Sequence, residues 1–230
     1  MFSLHPSTTL NSLFHERPYQ GANPSKARFL FVGLDANYDA EVEGKPIFTK
    51  LRAYHEDGVT FWRDHQIHHP FLLPQYTGDG RFYHQSFSRI GFKPEHADQV
   101  SFIELLHVPT VGRNKLVPSD LSRAHLRMLD DAILSGSAEH IFIPQTVARL
   151  MLASAQFAWL PKRPSDQFGP LGVLYRQGTK TVYSHLHFSV YGKFAERKAQ
   201  EAAAIRSLID PVNQDFNFGQ RAPTQSKPPP

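Results

Sequence analysis

Apolar residues in this chain fall into short runs separated by polar, turn-forming stretches. Arg28-Phe29-Leu30-Phe31-Val32-Gly33 is apolar at successive positions and ends in glycine, which predicts a strand buried on both faces. Val100 to Leu106 and His140 to Pro144 predict two more strands. Val173-Leu174-Tyr175 and Thr181-Val182-Tyr183-Ser184 read as a hairpin-like pair or a fourth strand. Helical spacing lies between the runs. Thr9 to His15 suits a short helix. Leu121, Leu126, Leu129 and Ile133 suit another, following Pro118 and a cap at Ser119 or Asp120 and stopping at Gly136. A third spans Val147 to Ala155, and Ala195 to Leu208 is rich in the strong helix formers Ala, Glu, Lys and Arg. Strands alternating with helices predict an α/β fold: a three-layer α/β/α arrangement around a mainly parallel, four-stranded central sheet.

The same pattern divides the chain into an N-terminal extension (1–27), an α/β domain (28–209) and a Pro-, Gln- and Asn-rich tail (210–230) expected to be disordered. Residues 40–80, aromatic, histidine-rich and broken by Pro and Gly, read as an irregular excursion packed on the domain. It is too long for an ordinary connection, which points to a functional role.

Composition narrows the classes. With 230 residues and 40% hydrophobic content, the chain suits one domain. Lys and Arg number 25 against 21 Asp and Glu, a net charge of +4, which permits an anionic partner without demanding one. The absence of cysteine excludes a disulfide framework, a thiolate nucleophile and Cys-ligated zinc or iron–sulfur clusters. The first residues lack a basic stretch followed by an apolar run, and no apolar stretch approaches the ~20 residues that span a bilayer. A cytoplasmic monomer without membrane attachment is the expectation.

Ligands of open α/β sheets gather beyond the carboxyl ends of the strands. That rule directs attention to Asp35 in Gly33-Leu34-Asp35-Ala36-Asn37, to Glu104 to Pro109, and to His185-Leu186-His187-Phe188-Ser189. Taken alone, the first motif is an ordinary capping turn and the second a histidine-bearing loop.

Together, in this order, the two motifs resemble those of the uracil-DNA glycosylase superfamily. There a Gly-x-Asp or Gly-x-Asn loop after the first strand supplies the water-activating group, and a His-Pro-Ser-like loop after the last strand supplies a histidine to the base. Asp35 matches the acidic position; His187 and Ser189 match the His and Ser, with Phe188 replacing the usual proline. Ile103-Glu104-Leu105-Leu106-His107-Val108-Pro109-Thr110 resembles the second strand and its Pro-Thr segment, and Arg81-Phe82-Tyr83 to Phe92 the helix bearing a base-stacking aromatic. The resemblance runs from Phe29 to Leu208.

It implies a hydrolase acting on N-glycosyl bonds, without metal or other cofactor, whose partner is double-stranded DNA containing a modified base. The base would be flipped from the stack into a pocket. Asp35 would position water and stabilise an oxocarbenium-like sugar, and His187 would donate to the departing base. Gly33, Leu34, Ala36, Asn37, Phe82, Tyr83 and Glu104 would hold the base. Ser189, Val190, Tyr191, Lys193 and Arg197 would meet the DNA, with Ser189 on a phosphate and Val190 or Tyr191 as a wedge.

Two departures bear on which base is read. Asn37 stands where some uracil enzymes carry a tyrosine that blocks a 5-methyl group. Glu104 stands where they carry an asparagine that reads uracil; as a charged acceptor it would favour an amino group over a carbonyl. Both point to a 5-substituted cytosine, glucosylated hydroxymethylcytosine of phage DNA being the example, and to a likeness with bacterial antiviral glycosylases. The alternatives are repair of uracil or another deaminated base, and a non-catalytic binder of modified or abasic DNA. A metal site built on His65, His68 and His69 with Asp64 is a further rival.

Overall fold

A computed structural model describes residues 2–112 and 115–209; the 210–230 tail expected from composition lies outside the described residues. The chain begins with strand β1 (Ser3–Leu4), helix α1 (Thr8–Glu16) and strands β2 (Tyr19–Gly21) and β3 (Phe29–Gly33). Helices α2 (Phe48–Glu56), α3 (Gly58–His65) and α4 (Arg81–Ser88) precede β4 (Val100–Glu104) and β5 (Thr110–Val111). The second half runs α5 (Arg123–Leu134), β6 (His140–Pro144), α6 (Gln145–Ala153), β7 (Asp166–Phe168), β8 (Leu171–Gln177), β9 (Lys180–His185) and α7 (Ala195–Arg206).

The result is a mixed α/β fold with a seven-stranded sheet in the order β2-β4-β3-β6-β9-β8-β7. β3 pairs in parallel with β4 and with β6, and β6 with β9. β2 joins β4 antiparallel at one edge, and β8 joins β9 and β7 joins β8 antiparallel at the other. The four strands expected from sequence were too few. β2 and β7 are three-residue pieces, too short to register as an apolar run. The 173–184 region is both things the sequence allowed: β8 and β9 form a hairpin, and β9 also pairs with β6. Nor do residues 1–27 lie ahead of the sheet, since β2 is one of its edges.

Strand alternation sends side chains to two cores. Leu30, Val32, Ile103, Ile141 and Ile143 pack with Leu126, Leu129 and Ile133 of α5 and with Val147 and Met151 of α6. Phe29, Phe31, Phe102 and Phe142 face the other way, against Trp62 of α3, Phe87 of α4 and Ile205 of α7. The second core is aromatic: Phe31 stacks on Phe142 at 4.8 Å and on Phe102 at 5.6 Å.

Residues 40–80 are not irregular. They hold α2 and α3, and with α1 they build a third cluster of Leu10, Phe14, Tyr38, Val42, Leu51, Phe71 and Tyr76. The α3 start is capped by Asp57, whose carboxylate accepts from the Thr60 amide at 2.9 Å. His55 and Tyr54 on the buried side of α2 disguised the helical period, because polar-looking residues stand at core positions. The cap of α5 also moved. Pro118–Asp120 is a separate 3-10 turn, and Ser122 caps the helix, its hydroxyl 3.4 Å from the His125 amide.

Candidate active site

A cavity of about 330 Å³ opens at the carboxyl ends of β3, β4 and β9. The loop after β3 forms one wall. It leaves the sheet still extended and runs beside the segment after β4: Leu105 N donates to Gly33 O at 3.0 Å, Leu106 N to Leu34 O at 3.0 Å and Thr110 N to Ala36 O at 2.9 Å. Gly33, Leu34 and Ala36 all line this wall. Asp35 projects into the cavity and its Oδ2 accepts a hydrogen bond from the Thr110 hydroxyl at 2.6 Å. Asn37 also lines it, but its amide donates to Thr110 Oγ1 at 3.1 Å and Gly112 O at 2.6 Å. Those bonds fix Asn37 as a clamp between the two loops.

Glu104, the last residue of β4, reaches across to Gly33. A Cβ on Gly33 would overlap the Glu104 carboxylate, so glycine here makes room for the acid. Among the described residues the carboxylate makes no hydrogen bond or ion pair. Burial, and secondarily the Asp35 carboxylate, push its pKa up to about 8. At neutral pH Glu104 therefore carries a proton. The charged acceptor expected from sequence is corrected: a neutral carboxylic acid offers a donor and an acceptor together.

His187 arrives from the loop after β9. Its Nδ1 accepts from the Ser189 amide at 3.2 Å, and desolvation holds its pKa below the usual histidine range, with Asp35 opposing and Lys198 reinforcing that shift. The ring is thus neutral with its proton on Nε2, the tautomer needed for donation. Tyr83 packs 5.5 Å from the His187 ring, and burial keeps its hydroxyl protonated. The loop itself is held from below. Lys198 Nζ donates to Phe188 O at 2.9 Å, Val190 O at 2.7 Å and Ser86 Oγ at 2.9 Å. Buried Glu201 accepts from the Leu186 amide at 2.9 Å. Phe188, in place of a proline, sinks into the aromatic core against Tyr83, Phe87 and His185.

Other expected residues do not line the cavity. A helix turns ~100° per residue, so Phe82 points away from Tyr83; its exposed ring lies 4.4 Å from Lys198 Nζ. Arg197 is paired with Glu201 at 3.0 Å. Val190 is half-buried, and Lys193 is exposed with Nζ 5.3 Å from the Phe194 ring. Tyr191, two residues past Ser189, is 79% exposed. Ser189 does line it.

Several lining residues carried no such signal in the sequence. Tyr38, three positions after Asp35, is buried and receives a hydrogen bond from Gln20 at 2.7 Å, so a tyrosine does stand by the cavity although position 37 is asparagine. His69, Phe71, Asp79, Gly80 and His84 form the wall opposite. His69 stacks on His84 at 3.6 Å, and His68 Nε2 lies 3.1 Å from His84 Nδ1. Burial holds all three well below the ordinary histidine pKa. Gly80 has φ +84° with the Phe71 ring beneath it, so only glycine fits. Arg81 fixes this wall by gathering the carbonyls of Leu73 and Tyr76. Two of these histidines, His69 and His84, are therefore part of the cavity wall, with His68 behind them. His65 stands apart, 3.3 Å from Lys50 Nζ, and Asp64 is exposed. Among the described residues no group of three or more His, Asp or Glu side chains is placed to hold a metal ion. No described helix is long and apolar enough to cross a membrane.

Compared with known proteins, the chain matches no protein-family model, and a search of curated proteins finds no match.

Proposed function

We propose that the protein excises a base from DNA by hydrolysing its N-glycosidic bond, leaving an abasic site. The observation that carries this reading is the convergence of Asp35, Glu104 and His187 on one cavity. These residues lie far apart in the chain, at or just past the carboxyl ends of three different strands. Its volume is within the range of pockets that enclose small ligands, and Tyr83 offers an aromatic surface to a flipped base. Asp35 positions water below the sugar and offsets its developing positive charge. The His187 Nε2–H donates to the base as negative charge accumulates. Tyr191, exposed past the His187 loop, would occupy the gap in the duplex, and Lys193 would meet a phosphate. The reading includes the architecture: α5 and α6 on one face, with α3, α4 and α7 on the other, make a three-layer domain around parallel strands β4, β3, β6 and β9.

A 5-substituted cytosine, glucosylated hydroxymethylcytosine of phage DNA among them, is the proposed substrate, which gives the protein an antiviral role. The protonated state of Glu104 supports a second reading, because a neutral acid also donates to a carbonyl and so accommodates uracil. The test is mass spectrometry of bases released from duplexes containing uracil, 5-hydroxymethylcytosine or its glucosylated form. Asp35→Asn is expected to lower release by at least about 10²-fold with the melting temperature retained. Undiminished release by that variant refutes the assignment. Tight binding to such DNA with no release identifies a non-catalytic binder instead.

A further inference from the structure

We propose that Glu104 is the general acid of the excision, entering the reaction with a proton and passing it to the departing base. This rests on the base-excision reading and adds a residue to its chemistry.

The geometry supplies the case. Glu104 is seated on the cavity wall over Gly33, in space that any side chain at position 33 would fill. Among the described residues, the groups that face it give its anion no positive charge. The loop after β3 presents the Asp35 carboxylate, which opposes a second negative charge, and Tyr38; α2 presents Tyr54 and α4 presents Tyr83, and burial keeps these three phenols neutral. The remaining cavity groups nearby, Gln20 on β2 and the histidines 69, 84 and 187, are neutral. His125 of α5 donates only to the Glu104 backbone carbonyl, at 2.7 Å. A carboxyl in such surroundings keeps its proton, in keeping with a pKa of about 8.

Asp35, by contrast, sits at the cavity with the Thr110 hydroxyl donating to it. Two carboxyl groups of one cavity set in different surroundings are the arrangement that divides acid from base. The bond between the sugar carbon and the base nitrogen breaks, and its electron pair leaves with the base. Glu104 gives its proton to the heteroatom of the base that faces it, so the base departs neutral. Water adds to the sugar carbon and yields a proton to Asp35. Transfer of that proton through solvent restores Glu104.

The experiment uses the full chain and whichever duplex the unaltered protein cleaves in the base-release panel. Glu104→Gln keeps the shape and a hydrogen-bond donor but has no proton to give. It is expected to lower kcat by about 10²–10³-fold with KM nearly unchanged. The unaltered protein should lose activity as pH rises through about 8, and the variant should lack that alkaline limb. Where uracil is the base released, duplexes carrying 5-fluorouracil, a better leaving group, should recover much of the variant's rate. Should the variant melt early, the profile of the unaltered protein decides: a fall centred near 8 with constant DNA affinity supports the role, and a flat profile overturns it. Full activity in a well-folded Glu104→Gln protein overturns the acid role alone. Absence of base release from every duplex by the unaltered protein overturns the excision reading and the acid role with it.

Discussion

Gly33→Ala probes the contact on which the cavity depends. The added methyl group falls where the Glu104 carboxylate lies, and Gly33 is the register partner of Glu104 in the β3–β4 pair, its carbonyl accepting from the Leu105 amide at 3.0 Å, so the strand has little freedom to withdraw. The carboxylate must move instead. Overpacking of a buried site costs ~1–3 kcal/mol. At ~2–4 °C per kcal/mol for a chain of this size, the melting temperature should fall by a few degrees to about ten. Base release should fall by ~10²-fold, the effect of displacing a reacting group by about an ångström. A double-mutant cycle separates the specific overlap from a general intolerance of alanine. In a Glu104→Ala background the space is vacant, so Gly33→Ala should then cost almost nothing, giving a coupling of ~1–3 kcal/mol by chemical denaturation. Strict additivity, with Gly33→Ala melting like the parent, would refute the placement of Glu104 over Gly33.

Three further outcomes are expected. Glu104 holds a proton in the folded protein up to pH about 8, whereas its ordinary value is 4.5. Its stabilising contribution is therefore complete below pH 4.5 and is lost as pH rises to 8, by up to ~5 kcal/mol. Denaturation curves of parent and Glu104→Gln should converge in acid and separate towards pH 8; parallel pH dependences count against the buried acid. Tyr83→Ala should lower base release ~10-fold or more through lost stacking, while Phe82→Ala changes it little; equal effects would contradict the outward position of Phe82. Lys198→Met leaves the carbonyls of Phe188 and Val190 without their donor, at a cost of ~1–3 kcal/mol. Faster amide exchange across residues 186–191 is the readout, and unchanged exchange would show that the clamp is dispensable.

Much of the fold was legible because buried parallel strands write themselves as continuous apolar runs. β3, β4 and β6 appear at their expected places, and α7 follows from propensity alone. Asp35 and His187 were legible as well, since glycine turns and polar residues immediately after such runs mark the cavity edge of an α/β sheet. The edge strands β2 and β7 were not, because three residues carry no periodicity; their pairing is decided by neighbours far along the chain. Helices α2 and α3 stayed hidden because Tyr54, His55 and Trp62 occupy the buried positions, and a polar edge on a core ring erases the apolar stripe.

What the sequence determined is the set of groups at the strand ends; their chemical state was decided by tertiary structure. Glu104 reads as a charged carboxylate in any list of residues. It becomes a neutral acid because folding removes water and brings Asp35 near. His69 reads as part of a metal-binding pattern and instead stacks on His84 as a cavity wall, with burial holding both rings neutral. Phe82 and Tyr83 are neighbours of equal promise in sequence, and helix geometry sends one to solvent and the other to the cavity. Periodicity is a local property that the chain carries with it, whereas desolvation and facing charge depend on residues brought together from as far apart as positions 35 and 187.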